Sequence, residues 1–210
     1  MIDKKKIVTA EQHYDLLVKE GNDPVYDPPK LKKYMDRYDG ETFFEQLGDT
    51  NGRCILEIGI GTGRLATKVL KLRPKLLVGI DISGSALEKC RKNIENAENL
   101  ILEKATFPNW QTAHVFNLIY SSQTFMHIKD LYNSMITIGS LLSRDGRAVI
   151  SFANCEPLLD FGNRAIRLYK HNPKEIQAIA DRCGFNSRIQ ELTDGDETVA
   201  WLWMGEKAVG

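Results

Sequence analysis

The feature that most constrains this chain is a run of glycines between an apolar segment and a helix-like one. From Cys54 it reads Cys-Ile-Leu-Glu-Ile-Gly-Ile-Gly-Thr-Gly-Arg-Leu-Ala, ending at Ala66. Cys54 to Ile58 is short, apolar and rich in β-branched side chains, as a buried strand is. Leu65 to Leu72 then carries an apolar helical pattern. Gly59, Gly61 and Gly63 lie between them, where a backbone must turn sharply and let a ligand approach closely. The amide groups opening the following helix favour an anionic group. The next apolar run, Leu76 to Ile80, ends at Asp81, where a carboxylate can meet the two hydroxyls of a ribose. This pattern predicts an adenosine-containing ligand at the topological switch point of a parallel sheet.

The rest of the chain supplies such a sheet. Ser85 to Ala97 reads as a helix opened by a Ser85–Glu88 capping box. Leu100 to Glu103 is a third strand, Phe116 to Ser121 a fourth, and Asp130 to Leu142 a helix. Asp145-Gly146 turns the chain into a fifth strand, Arg147 to Phe152. Asn172-Pro173-Lys174-Glu175 opens a late helix with Asn as cap and Pro at the first position, and Gly184 closes it. Ser187 to Leu192 and Thr198 to Met204 form a terminal hairpin around Asp194-Gly195-Asp196. Strands alternating with helices predict a doubly wound α/β fold, its sheet mainly parallel with helices on both faces. Residues 1–50 form a separate helical cap segment, interrupted by Pro24, Pro28 and Pro29, and residues 51–210 the ligand-binding domain.

Glu57-x-Gly59-x-Gly61-x-Gly63, followed by an acid ending the second strand, resembles the class I S-adenosylmethionine-dependent methyltransferases of small-molecule type. Asn117 to Ser122, Leu141 to Gly146 and the closing hairpin look similar to the same family. The resemblance runs from about Cys54 to Lys207 and implies a Rossmann-like sheet of seven strands, the last antiparallel. It implies S-adenosylmethionine as cofactor, with Gly59, Gly61 and Gly63 along its methionine portion and Glu57 holding its amino group. It further implies Asp81 on the ribose, Ile82 packed on the adenine, Ala105 and Thr106 at the adenine edge, and Ser121 near the methionine end. The chain departs from the family in two places: Lys104-Ala105-Thr106 offers no acid to the adenine amine, and Asn117 stands where Asp is frequent.

Gly61-x-Gly63-x-x-Ala66 also fits the dinucleotide fingerprint, which makes a nicotinamide-dependent oxidoreductase the alternative reading. A carboxylate at Glu57, near the end of a buried strand, needs a cationic or hydrogen-bonding partner, and the ammonium of S-adenosylmethionine is one. No second domain remains to carry a hydride acceptor. A non-catalytic scaffold is the third reading, since fold does not determine function. Asp27-Pro28-Pro29-Lys30 lacks the aromatic that a base-flipping methyltransferase stacks on its target, so it reads as a proline-rich loop.

Lys plus Arg equals Asp plus Glu, 28 of each, which leaves no overall field to draw in nucleic acid or an anionic membrane. Lys4, Lys5 and Lys6 are a local exception and read as a solvated terminus. Cys54, Cys90, Cys155 and Cys183 include no C-x-x-C pair, and Met1 to Ala10 lacks the apolar core of a signal peptide. These features predict a cytoplasmic protein without disulfides, metal site or membrane span.

Methyl transfer from a sulfonium asks mainly for alignment and exclusion of water, with a general base only if the acceptor must lose a proton. His127, in Gln123-Thr124-Phe125-Met126-His127-Ile128, falls at the carboxyl edge of the sheet. It is the candidate base or acceptor-orienting group, or else a histidine that hydrogen-bonds the start of the next helix. A small-molecule acceptor is expected, enclosed by the N-terminal segment with Tyr14, Tyr26, Tyr34 and Tyr38 and by the link Asn154 to His171. Most of those tyrosines are expected to pack as core. In the link, Arg164 and Arg167 either grip an acidic acceptor or line a solvated helix face.

Overall fold

The structure, a computed structural model, describes residues 6–207. Lys4 and Lys5 of the basic run, and residues 1–5 of the segment read for a signal peptide, lie outside the described residues. Seven strands make the central sheet: β2 (Cys54–Ile58), β3 (Leu76–Asp81), β4 (Leu100–Lys104), β5 (Phe116–Ser121), β6 (Leu142–Ala153), β9 (Phe185–Asp194) and β10 (Glu197–Lys207). Their order is β4-β3-β2-β5-β6-β10-β9. The first five are mutually parallel, and β10 runs antiparallel to both β6 and β9. The order reverses at β2, whose next strand β3 lies on one side and the more distant β5 on the other. That reversal is the crevice where ligands bind in such sheets.

Alternation of side chains sorts the strand residues onto two cores. Leu56, Ile58, Val78, Ile80 and Ile119 face α6 (Leu131–Leu141) and α7 (Pro173–Arg182). Ile55, Leu77, Leu118 and Tyr120 face α3 (Glu41–Leu47), α4 (Ala66–Val69) and α5 (Gly84–Asn93). Glu57, one step of two from Ile55, therefore enters the second face as a carboxylate among hydrocarbons.

The helices depart from the sequence pattern at their ends. Ser83 caps α5, accepting from the Ala86 amide, so the Ser85–Glu88 box is not the cap. The chain leaves extended geometry at Ser83 because the Asp81 carboxylate already holds the Ser83 amide. The same helix ends at Asn93 rather than Ala97. α4 is a single turn, continued as a 3-10 turn over Leu70–Leu72 and stopped where Arg73 turns left-handed. β6 starts at Leu142, ahead of Asp145-Gly146, and slips its register against β5 between Phe116 and Leu118. The Asn172 cap of α7 accepts from Glu175 as the sequence indicates.

The link 154–171 is no open loop or helix. It holds a hairpin, β7 (Leu158–Asp160) against β8 (Arg164–Arg167), and β1 (Lys6–Val8) pairs in parallel with β8. This small sheet joins the link to the N-terminal segment, which contains α1 (Ala10–Lys19) and α2 (Pro29–Asp39). Pro29 takes the first position of α2, so Asp27-Pro28-Pro29-Lys30 is a helix start. Arg164 is buried, its terminal nitrogens on Glu20 at 2.6 and 2.8 Å and its Nε on His13 Nδ1 at 3.1 Å. It is thus spent in docking α1 to the hairpin, not free for an acidic acceptor; Arg167 points outward.

α6 offers a direct check of these faces. Ile138 is fully buried, while Ile136 is 45% exposed. Ile138→Ala should lower unfolding free energy in urea by about 2–5 kcal/mol, and Ile136→Ala by no more than about 0.5. Equal losses would contradict this orientation of the helix.

Candidate active site

A cavity of about 510 Å³ opens at the carboxyl ends of β2, β3 and β5. Its floor is the glycine loop with Glu57, Asp81 and Ile82. Ala105, Thr106 and Phe107 form one wall, and Ser122, Gln123, Thr124, Met126 and His127 another. Ala10, Tyr14, Pro24 and Met35 of the N-terminal segment cover it.

The loop is tied down by backbone hydrogen bonds to β3. The Gly59 and Ile60 amides donate to Ile80 O at 2.8 and 3.1 Å. The three glycines answer to different needs. Gly61 sits at φ +56°, and a side chain there would meet nothing within 4 Å, so the loop leaves open space above it. Gly63, at φ +94°, does not line the cavity; a Cβ would press on Cys90 Sγ at 2.9 Å and Ile94 Cδ1 at 2.8 Å of α5. Its smallness serves close packing of loop on helix. Gly59 would collide with Thr124 of the opposite wall.

Asp81 bridges two loops: Oδ2 accepts from Gly61 N and Oδ1 from Ser83 N, both at 2.8 Å. Burial pushes its carboxyl upward, and the backbone amides of Ser83, Gly61 and Ile82 oppose that shift. Each oxygen keeps a further lone pair for a hydroxyl donor. Ala105 N donates to Asp81 O at 2.9 Å, which sets the Ala105-Thr106 wall beside it.

Glu57 is only 3% exposed, and its Oε2 accepts from the Tyr120 hydroxyl at 2.6 Å. Burial pushes its carboxyl up to about 8, against the pull of that hydrogen bond and of the nearby Arg64 guanidinium. Arg64 itself is committed to Asp39 of α2, with Nη1–Oδ1 2.7 Å and Nη2–Oδ2 2.5 Å. The Ser122 hydroxyl donates to the same Asp39 oxygen at 2.7 Å. Ser121, by contrast, is fully buried and donates to Ile58 O at 2.7 Å, tying β5 to β2; Ser122, next in line, reaches the cavity.

His127 closes a 3-10 turn, Phe125–His127. Its Nε2 lies 2.7 Å from the Tyr14 hydroxyl, and its Nδ1 is buried with no hydrogen-bond partner. The imidazole makes no bond to the start of α6, whose cap is Asp130. Burial, assisted by His13, holds its pKa down at about 4, so the ring is neutral near pH 7. Tyr14 is pushed the other way, by burial and by Asp81, and keeps its proton. His171 Nε2 meets Ile128 O at 2.8 Å and steadies the His127 turn from behind. Among the described residues no group of three or more His, Cys, Asp or Glu side chains is placed to hold a metal ion.

Of the residues indicated by the sequence, Glu57, Gly59, Gly61, Asp81, Ile82, Ala105, Thr106 and His127 meet around one cavity. Gly63 and Ser121 lie behind it. Tyr14 acts at the site, whereas Tyr26 and Tyr34 are exposed. Asp39 and Arg64 were not indicated. A cation directly after the third glycine was a signal for Arg64; no local pattern marks Asp39.

Residues 55–146 match the family model of the methyltransferase domain. Malonyl-[acyl-carrier protein] O-methyltransferase 1 of Ilyobacter polytropus is 31% identical over 98 residues, 46% of this chain and 37% of that protein. An uncharacterized methyltransferase of Anoxybacillus flavithermus is 29% identical over 101 residues, 47% of this chain and 46% of its own. The matches thus span less than half of each relative. An S-adenosylmethionine-dependent methyltransferase from Mesorhizobium loti superposes with a TM-score of 0.71 at 16% identity, over 81% of this chain and 98% of its own. Magnesium protoporphyrin IX methyltransferase from Synechocystis, with S-adenosylmethionine bound, gives 0.69 at 16% identity, over 95% and 100%. Residues 55–146 thus match a methyltransferase-domain model, and the chain has the fold of the S-adenosylmethionine-dependent methyltransferases on which it superposes.

Proposed function

We propose that the protein transfers a methyl group from S-adenosylmethionine to a small-molecule acceptor. The supporting observation is the pair of carboxylates, Glu57 buried and Asp81 partly buried, lining the cavity beside the open space above Gly61. Asp81 suits the ribose hydroxyls, Ile82 the adenine face, and Ala105 and Thr106 its edge. Glu57 is hydrogen-bonded by the Tyr120 hydroxyl rather than by a cation, the terminal nitrogens of Arg64 being turned to Asp39, and so suits an ammonium. A nicotinamide dinucleotide would bring its pyrophosphate beside Glu57, an unfavourable neighbour. The cofactor supplies an electrophilic methyl on a sulfonium, which leaves as a neutral thioether.

The chain's own part is alignment, water exclusion and proton handling. The N-terminal segment, the cap of residues 1–50, covers the site with Tyr14, Pro24 and Met35. Tyr14 and His127 face the acceptor side as one hydrogen-bonded pair, in which a neutral imidazole can take a proton directly or through the hydroxyl. The likeness to a malonyl-[acyl-carrier protein] O-methyltransferase makes oxygen nucleophiles the first acceptors to screen. Four free cysteines suit the reducing cytoplasm.

Calorimetry of S-adenosylhomocysteine binding tests the cofactor. The wild type should bind in the micromolar range, and Asp81→Ala should weaken binding at least about 30-fold by removing a partly buried, multiply bonded acceptor. Unaltered affinity in that variant, or preference for NADH, would remove the reading.

Tyr14→Phe and His127→Ala should each lower kcat by about 100-fold or more while changing S-adenosylhomocysteine affinity only a few-fold. Because the folded pKa of His127 is depressed, to about 4, the neutral base persists from there upward. The pH profile of kcat/KM should show no histidine step near 6.5; a rise centred there that vanishes in His127→Ala would contradict the buried, neutral imidazole.

A further inference from the structure

We propose that Arg64 is the receptor for the carboxylate of the cofactor's amino-acid end, and that Asp39 is the positioning residue that aims it. The inference rests on the cofactor reading above and goes on to assign a residue to a charge that reading leaves without a partner.

The amino-acid end of S-adenosylmethionine is a zwitterion, so its receptor needs an anion and a cation side by side. Two cationic side chains line the cavity, Arg64 and Lys129. Lys129 is exposed at the mouth, next to the exposed Asp130. Arg64 ends the glycine loop just ahead of α4, is largely buried, and lines the same cavity as Glu57 and Gly61, where it and Glu57 each favour the other's charged form. Glu57 and Arg64 therefore make the required pair on the floor beside Gly61.

Arg64 is not consumed by Asp39. Both carboxylate oxygens sit on the two terminal nitrogens, which is end-on binding. A guanidinium has a second, side-on edge made by Nε–H and the outer hydrogen of one terminal nitrogen. A second carboxylate can use that edge in bidentate fashion. Asp39 meanwhile is completely buried, held by Arg64 and by the Ser122 hydroxyl. Burying an ion pair so deeply gains little stability, so geometric specificity is the plausible return on it. Here the geometry links three segments: α2 of the cap, the glycine loop, and the loop after β5. The cap thus sets the direction of a cofactor-binding side chain as well as covering the cavity.

A purely structural Arg64–Asp39 bridge would make the same contacts, so the test must read the ligand's carboxylate itself. Wild type, Arg64→Gln, Arg64→Lys and Asp39→Asn are titrated calorimetrically with S-adenosylhomocysteine and with S-adenosyl-3-thiopropylamine. The latter is the same molecule without its carboxylate, the ammonium being kept. The wild type should prefer S-adenosylhomocysteine by about 10- to 100-fold, the worth of a charge-assisted bidentate pair. Arg64→Gln should erase that preference by weakening only the carboxylate-bearing ligand. Arg64→Lys should restore part of it, and Asp39→Asn should reduce it with the guanidinium present. The proposal is overturned if the wild type binds both ligands equally, or if the preference survives in Arg64→Gln. It is equally overturned if every variant that remains folded loses both ligands in parallel. Wild type that binds neither ligand would instead bring down the cofactor reading, a different and separately visible failure.

Discussion

Three carboxylates, Glu57 and Asp39 buried and Asp81 partly so, lie at or just behind one cavity, and taking a charge out of water is the most expensive thing this fold does. Each is accommodated differently. Asp39 has a guanidinium and a hydroxyl. Asp81 has two backbone amides presented by the loops after β2 and β3. Glu57 has a single phenol, and its raised pKa records the deficit. The partners dictate the local backbone: the glycine loop bends so that the Gly61 amide reaches Asp81, and α5 starts at Ser83 because its amide does the same. The floor is thus organised by the protein's own hydrogen bonds, with an acid left over for a cationic group.

The covering segment is organised by the same currency of polar contacts. Asp15 reaches Ser83 and Ser85 at the start of α5. Asp23 reaches Thr62, Asn93 and Lys89, Tyr14 meets His127, and Glu20 meets Arg164. Thus the loops after β2, β3 and β5 are all touched by the first forty residues. These are hydrogen bonds and ion pairs rather than a broad hydrophobic seam. Such contacts break one at a time at modest cost, which under the proposed function suits a cover that opens for ligand.

How much of this was legible beforehand depends on the range of the interaction concerned. Strand and helix identities followed from periodicity because burial acts on every second or every third-to-fourth residue. The Asn172 cap was readable, since cap and partner lie three residues apart. The Ser85 cap was misread because the true start depends on Asp81, whose carboxylate position is set by the sheet. The role of each glycine was also not local: Gly63 needs its smallness for Cys90 and Ile94, Gly59 for Thr124. The β7–β8 hairpin was read as an open link because its third strand, β1, lies at the other end of the chain.

The sequence by itself determined the seven strands of the central sheet and the helices between them, the turn chemistry of the glycine loop and the carboxylate that ends β3. These rest on contacts between near neighbours, which a linear pattern can display. Tertiary structure alone decided that Tyr14 meets His127, that Asp39 holds Arg64 and that Ser122 rather than Ser121 faces the cavity. Those outcomes depend on which residues the closed sheet leaves buried together, and desolvation has no signature in the local order of residues.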